Sequence, residues 1–168
     1  GGIVTTDDAD LAASVRRVRS NSGIDVANPP TNVRMSDVEA TIGRTQLERY
    51  SDLVTHRRKI AETYQANLPP SVTSQSVPDG HASVYHRFAI RVQDRDALAD
   101  YLNSNRSETR VGITKPLNRF KCVEKNHQRS YPETKQLIED YLLLPIHSEL
   151  KVEDARTISK YISKFYRE

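Results

Sequence analysis

The residues best suited to chemistry lie just ahead of a predicted helix. The stretch TNVRMSDVEA, residues 31–40, places Asn32 and Arg34 before the sequence SDVE, which begins at Ser36 and has the spacing of a helix capping box. A helix start has unpaired backbone N–H groups and a positive dipole end, so polar residues there either cap the helix or help to hold an anion. The residues alone favour the simpler alternative, in which Asn32 is a turn residue and Arg34 is solvated.

A second group of basic residues lies in the stretch TKPLNRFK, residues 114–121. Lys115, Arg119 and Lys121 are spaced along a segment that shows neither helical nor strand periodicity. Arginine and lysine suit phosphate oxygens, so these side chains could face a diphosphate. The residues alone favour the simpler interpretation, a solvated basic loop.

The other reactive residues form no catalytic or metal-binding pattern. Cys122 is the single cysteine and has only His127 as a nearby metal partner, which excludes a disulfide framework and argues against zinc. We predict that His86 lies on the inward side of a strand and that His147 packs after a proline. The run HRRK from residue 56 is predicted to be a solvated helix face, because no aromatic platform for nucleic acid accompanies it. The pattern holds no Ser-His-Asp set and no phosphate-binding glycine loop.

Composition indicates an ordinary globular chain. Its 168 residues suit one domain or slightly more, with 36% hydrophobic and 28% charged residues. The net charge is +3, but the 25 basic and 22 acidic residues are interspersed along the chain, which argues against a nucleic-acid partner. No apolar run reaches the roughly 18 residues of a membrane span. We therefore expect neither nucleic acid nor membrane as a partner, and a reducing cytoplasm as the location.

The opening residues suggest a segment upstream. The sequence begins GGIVTT, which we predict to be a strand, and its single methionine is Met35. An isolated strand would expose unpaired backbone groups, so a neighbouring strand is expected. We interpret the chain as a possible C-terminal piece of a longer protein.

The elements that would position these residues alternate between helix and strand. A helix is predicted from Asp7 and Asp8 onward, followed by a loop or linker over 21–33. After residue 35 the predicted order is a helix over 36–68, a strand over 84–92, a helix over 94–102, a strand over 109–113, a helix over 132–141, a strand over 142–144 and a helix over 152–165. Such alternation predicts an α/β fold in which helices pack on a small sheet.

Two of these elements rest on clear periodicity. The long helix would run for about nine turns and bury one apolar stripe. That stripe consists of Leu47, Tyr50, Val54, Ala61, Tyr64 and Leu68. The first strand alternates apolar and polar positions, which predicts an inward face. That face consists of Val84, His86, Phe88, Ile90 and Val92.

Four landmarks in this order carry a resemblance to a known family. They are GGIVTTDDADLAASVRRVRS, then N-x-R-M-S ahead of a helix with QLER and HRRKIA, then VYHRFAIRV, and then LLLPIHSEL before a helix that begins with ED. Together they resemble the C-terminal half of DegT/StrS-like pyridoxal-phosphate-dependent sugar aminotransferases, over nearly the whole chain.

The resemblance implies a fold and an activity. Residues 1–33 would be a strand, a helix and a linker that end the large cofactor-binding domain, and residues 34–168 the small C-terminal domain of a fold-type I aminotransferase. Pyridoxal phosphate would be the cofactor, and a nucleotide-linked sugar and an amino-acid donor the substrates, in a homodimer with shared active sites. In the family the lysine that forms the Schiff base precedes the opening Gly-Gly, so we expect the isolated chain to be inactive.

The resemblance also assigns site residues. Asn32 matches the family asparagine that reaches across the dimer interface to the cofactor phosphate of the neighbouring subunit. Arg34, Lys115 and Arg119 become candidate substrate-binding residues, and no residue here matches a catalytic or metal-binding one. Many relatives read V-H-Y-P-x-P-L-H where this chain has VGITKPLN, so the particular sugar stays open.

Two other functions remain open on the sequence. The chain could be a stand-alone dimerisation or regulatory module derived from such an enzyme. It could also be a basic nucleic-acid-binding domain, which the dispersed charge makes the weaker alternative.

Overall fold

The computed structural model describes residues 2–20, 34–112, 115–120 and 130–167, and this part of the chain is an α/β fold. Its helices are α1 (Ala9–Ser20), α2 (Asp37–Glu48), α3 (Tyr50–Asn67), α4 (Arg95–Ser104), α5 (Pro132–Asp140) and α6 (Val152–Phe165), with a 3₁₀ helix at Leu117–Arg119. Its strands are β1 (Thr73–Ser74), β2 (Phe88–Arg91) and β3 (Tyr141–Leu144). The predicted fold class, helices on a small sheet, is confirmed.

The chain divides into two compact units, Gly1–Ser51 and Asp52–Glu168. The predicted domain boundary follows a linker, residues 21–33, that lies outside the described residues. The assignment of residues 34–168 to one domain therefore stays a prediction. No helix in the described ranges is both long enough and apolar enough to cross a bilayer.

The first unit contains α1 and α2. Asp8 caps α1, since its Oδ1 accepts the backbone N–H groups of Asp10 at 2.9 Å and Leu11 at 3.0 Å. The predicted strand at the chain start is not observed: residues 2–6 form no strand within the described residues, and Ile3 is 90% exposed. A strand needs a partner for its backbone groups, and none pairs with these residues in the described structure.

The predicted long helix is two helices. α2 ends at Glu48 and α3 begins at Tyr50, and between them Arg49 adopts φ −93° and ψ −2° with its N–H directed to the Leu47 carbonyl. A break of one residue hardly shifts the phase of an apolar stripe, so periodicity alone does not reveal it. Burial of the stripe starts only at Val54, and Leu47 is 72% exposed.

The second unit is built on a three-stranded antiparallel sheet. β2 lies in the middle and pairs with β1 on one edge and with β3 on the other. In the β2–β3 register, Phe88 lies opposite Leu144 and Arg91 lies opposite Tyr141. The short β1 was not among the predicted elements, because two residues give no measurable alternation.

The hydrophobic core covers one face of this sheet. Phe88 and Ile90 alternate inward on β2, as a strand's period of two requires. Three helices supply the facing layer, and on α6 the residues Ala155, Ile158 and Ile162 are buried, with Phe165 partly buried against the core. The other core residues on these elements are Ile60, Ala61, Tyr64, Leu98, Leu102, Leu142 and Leu144.

The predicted strands at 84–92 and 109–113 are both shorter than expected. Regular pairing of the first starts only at Phe88, because Tyr85 has a positive φ of 43°, which no β-strand residue adopts. The second is a single bridge, in which Arg110 and Leu143 exchange two backbone hydrogen bonds of 3.2 and 2.9 Å. Residues 113 and 114 lie outside the described part of the chain.

Candidate functional site

The start of α2 is a complete capping box, as the sequence predicts. The Ser36 backbone N–H donates to Glu39 Oε2 at 2.8 Å, and the Glu39 N–H donates to Ser36 Oγ at 3.3 Å. The hydrogen bonds from the Ser36 N–H and hydroxyl hold the pKa of the Glu39 carboxyl below its ordinary value. Arg34 is exposed two residues before this cap. Asn32 lies outside the described residues.

Two backbone N–H groups at this helix start are already occupied. The Ser36 N–H is bound by the Glu39 carboxylate, and the Glu39 N–H by the Ser36 hydroxyl oxygen. Of the two roles that polar residues have at a helix start, the described residues of α2 therefore perform the capping one.

Lys115 lies two residues before the 3₁₀ helix and Arg119 is its last residue, and they line different clefts. The Lys115 ammonium lies 4.5 Å from the centroid of the Phe120 ring, a cation–π distance, beside an apolar cleft of about 540 Å³. Arg119 lines a second cleft of about 570 Å³, together with Lys135 and Glu139. The structure thus does not bring these two predicted substrate residues to one shared cleft.

A further cleft of about 850 Å³ was not predicted from the sequence. We name it the Arg87 cleft. It lies within the second unit, between the segment ahead of β2, the end of α4, the loop after β3 and one side of α6. Its polar lining includes His86, Arg87, Arg106, Arg110 and His147.

Both histidines of this cleft correct a prediction. His86 was expected to face inward, but it is exposed, and Tyr85 beside it is 9% exposed and packs in the core. The positive φ of Tyr85 breaks the period-two alternation, so the pattern assigns these two residues to the wrong sides. His147 was expected to pack, but it is exposed beyond the buried Ile146.

The run HRRK from residue 56 is also not a solvated face. His56, Arg57 and Arg58 are half-buried. The His56 Nε2 atom lies 2.8 Å from the Leu150 carbonyl oxygen, and Arg58 Nε donates to the Ser83 carbonyl at 2.9 Å. These side chains join α3 to two loops, which is a structural role.

Gly112 is a functional candidate that the sequence could have indicated. A Cβ at this position would lie 2.9 Å from the Tyr141 hydroxyl, 2.9 Å from Leu143 Cδ1 and 3.0 Å from Arg87 Nη1. An isolated glycine in a strand-like segment often marks such a close approach. Its absent side chain leaves room for the Arg87 guanidinium.

The described residues form an α/β fold with clefts of a size that suits small molecules. Among them, no group of three His, Cys, Asp or Glu residues is placed to hold a metal ion. In the same ranges the two histidine hydrogen bonds, from His56 and His81, go to backbone carbonyl groups and not to a nucleophile.

The chain belongs to the DegT/DnrJ/EryC1/StrS aminotransferase family, whose sequence profile matches residues 1–163. The predicted family is therefore confirmed. Members of this family are pyridoxal-phosphate-dependent sugar aminotransferases, as predicted for the complete enzyme.

Individual relatives match over the whole chain. The sequence is 27% identical to the dTDP-3-amino-3,6-dideoxy-alpha-D-galactopyranose transaminase of Aneurinibacillus thermoaerophilus, over 98% of this chain and 47% of that protein. It is 26% identical to a UDP-N-acetyl-3-dehydro-alpha-D-glucosamine 3-aminotransferase of Acidithiobacillus ferrooxidans, over 98% of this chain and 46% of that protein.

A solved structure matches in the same way. The crystal structure of a DegT DnrJ EryC1 StrS aminotransferase from Brucella abortus superposes with a TM-score of 0.87 at 25% identity, over 97% of this chain and 45% of that one. The chain thus spans about half the length of the relatives it matches.

Proposed function

We propose that this chain is the C-terminal part of an aminotransferase that transfers an amino group from an amino acid to a nucleotide-linked keto sugar. The observation that carries the proposal is the family match over residues 1–163, in a chain whose fold superposes on a family member over 97% of its length. The two curated relatives are named for a dTDP-linked and a UDP-linked sugar. The isolated chain is inactive in this proposal, because no lysine in it matches the one that binds the cofactor.

The proposal assigns the 3₁₀ segment to substrate binding. Lys115, just before the 3₁₀ helix, and Arg119, at its end, present cationic groups, and both residues are exposed. Cations suit the two phosphates of a nucleotide-linked sugar. Since the two side chains line different clefts, each would contact a different part of such a substrate. Arg34 is the third candidate, for a phosphate or for a carboxylate.

The proposal assigns Asn32 to the cofactor. Its side-chain amide would donate a hydrogen bond to the phosphate of the pyridoxal phosphate held by the partner subunit, in a homodimer with shared active sites. The capping box at α2 supports this division of roles, because Ser36 and Glu39 already satisfy the helix start and leave Asn32 uncommitted to capping. Residues 1–33 would then end the large domain, and residues 34–168 would form the small one.

The test is the substitution Asn32→Ala in the complete enzyme. Loss of a hydrogen bond to a charged group costs about 1.5–3 kcal/mol, so the Kd for pyridoxal phosphate should rise by about ten- to a hundredfold. Fluorescence titration of the cofactor-free enzyme measures it. The matched control is Asn67→Ala, whose amide donates only to the Thr63 carbonyl one turn earlier and should leave the Kd unchanged.

Mixed dimers test whether the contact crosses the interface. Subunits with Asn32→Ala are combined with subunits that lack the cofactor-binding lysine. In the heterodimer, the site with the intact lysine receives the intact Asn32 of the other chain, so activity at limiting cofactor should partly return. An unchanged Kd in Asn32→Ala would make Asn32 a turn residue. A raised Kd without recovery on mixing would place the contact within one subunit.

A further inference from the structure

The Arg87 cleft holds cationic groups that no protein group neutralises. Among the residues that the structure describes, the guanidinium groups of Arg87 and Arg106 have neither an ion pair nor a hydrogen bond. Of the two carboxylates that line the cleft, Glu108 pairs with Arg110 at 2.8 Å, and Asp154 accepts the Lys151 backbone N–H at 3.0 Å. The three arginines of the lining, Arg87, Arg106 and Arg110, outnumber these two carboxylates, so the cleft carries a net positive charge.

The floor of the cleft is apolar. Leu144, Ile146, Leu150 and Ile158 line it, and each of them is less than 9% exposed. Sites for small molecules commonly combine an apolar wall with a few polar groups, in clefts of roughly 300–1,000 Å³. A volume of about 850 Å³ lies in that range. The cleft suits a molecule with both a charged end and a less polar body.

Backbone strain occurs at two segments that border the cleft. Tyr85 has a φ of 43° and directly precedes His86 and Arg87, and Arg106 has a φ of 60°. Residues without the freedom of glycine rarely adopt this conformation, which concentrates at functional sites. Both strained residues thus lie where the chain presents unpaired cations to the cleft.

Gly112 lies beside one of these cations. The position of its missing Cβ is 2.9 Å from the Tyr141 hydroxyl, 2.9 Å from Leu143 Cδ1 and 3.0 Å from Arg87 Nη1. A Cβ there would therefore crowd the Arg87 guanidinium and require the other two atoms to shift. All three atoms are ends of side chains, so the crowding can be relieved without unfolding the sheet.

We propose that the Arg87 cleft binds a small organic molecule carrying an oxyanion, a phosphate or a carboxylate, with the oxyanion at Arg87, the body on the apolar floor and Arg106 adding positive charge to the same cleft. A planar guanidinium can donate two parallel hydrogen bonds to either oxyanion. This site is separate from the 3₁₀ segment, which holds the substrate residues predicted from the sequence. The inference rests on the cleft alone and does not depend on the proposed function.

The experiment is calorimetric titration of the 168-residue chain at constant ionic strength. Three probes are compared: pyrophosphate, uridine diphosphate and glutamate. We expect binding of at least one of them, and an affinity lower by about tenfold or more in Arg87→Gln. The probe that binds with the higher affinity shows whether the cleft prefers a phosphate or a carboxylate. Uridine diphosphate binding more tightly than pyrophosphate would support contact with the floor.

Two further variants make the test specific. Arg167→Gln removes the same charge from an exposed arginine outside the cleft, and it should leave binding unchanged. Gly112→Ala keeps every charge but crowds the Arg87 guanidinium together with Tyr141 and Leu143, and it should weaken binding. The proposal is overturned if none of the probes binds, if Arg87→Gln or Gly112→Ala binds as well as the parent, or if Arg167→Gln weakens binding equally.

Discussion

Tyr166, one residue beyond the end of α6, connects the last helix to the start of α4. Its hydroxyl donates to the Gln93 carbonyl at 2.7 Å. Burial, and secondarily the negative charge of Asp94, raises the pKa of Tyr166 to about 12. In the unfolded chain a tyrosine has a pKa of about 10. Above that pH the unfolded state loses the proton first, so the contribution of Tyr166 to stability is complete below pH 10 and decreases as the pH rises through about 12.

We therefore expect Tyr166→Phe to make the protein less sensitive to alkali. Between about pH 10 and 12 the free energy of unfolding should decrease less steeply in the variant than in the parent, because the titrating hydroxyl is gone. Urea unfolding at a series of pH values measures the slope. Tyr131→Phe, at an exposed residue, is the control and should keep the parent's slope. Identical slopes in the parent and Tyr166→Phe would contradict the prediction.

At the residue scale, the sequence predicts roles best where the partner is close along the chain. The Ser36–Glu39 capping box was predicted from a spacing of three residues and is confirmed. The burial of His86 was predicted wrongly, because it depends on the positive φ of Tyr85, which no local pattern specifies. Asn32, Arg34, Lys115 and Arg119 remain predicted site residues.

At the scale of elements, α2 is stabilised more by its capped start than by the packing of its side chains. None of its residues is buried, so the capping box is a large part of what holds its first turn. Ser36→Ala removes the oxygen that accepts the Glu39 N–H and should cost about 1 kcal/mol locally. Amide exchange at Glu39 should become about fivefold faster, measured by NMR.

The control for this substitution is Ser76→Ala, in an exposed loop position with no side-chain hydrogen bond in the described structure. Exchange in α2 should be unaffected by it. If Ser36→Ala left the Glu39 amide as protected as before, the cap would contribute nothing to the stability of the helix.

The elements that the sequence predicts well are those with their own periodicity. α6 was predicted at its observed bounds, because its apolar residues recur at helical spacing. β1 was not predicted, and the single bridge at Arg110 was predicted as a longer strand. Both depend on partners far along the chain. The end of α2 at Glu48 was missed because one non-helical residue does not disturb the apolar stripe.

At the scale of the whole molecule, the second unit depends on a single core around Phe88. This side chain is fully buried and lies between the rings of Tyr64, at 5.0 Å, and Tyr85, at 6.1 Å. Phe88→Ala should reduce the free energy of unfolding by about 3–5 kcal/mol, because it removes apolar contacts and leaves a cavity. Urea denaturation followed by circular dichroism measures the loss.

Leu117→Ala is the matched control, since Leu117 is 71% exposed and its truncation should change stability by less than about 0.5 kcal/mol. Similar losses in both variants would mean that the Phe88 site collapses around the smaller side chain. The sequence identified Phe88 as an inward residue, but not the two rings that enclose it.

The register of the central strand also sets an order of events during synthesis. Arg91 at the end of β2 pairs with Tyr141, about fifty residues later in the chain, and α6 follows β3. At about 5–20 residues per second, a ribosome adds that interval in roughly 3–10 s. Throughout that time Phe88 and Ile90 have left the active centre of the ribosome while the strand and helix that cover them do not yet exist. The nascent chain therefore needs its apolar strand shielded for seconds, and a chaperone that recognises short apolar segments would bind at β2 before the sheet closes.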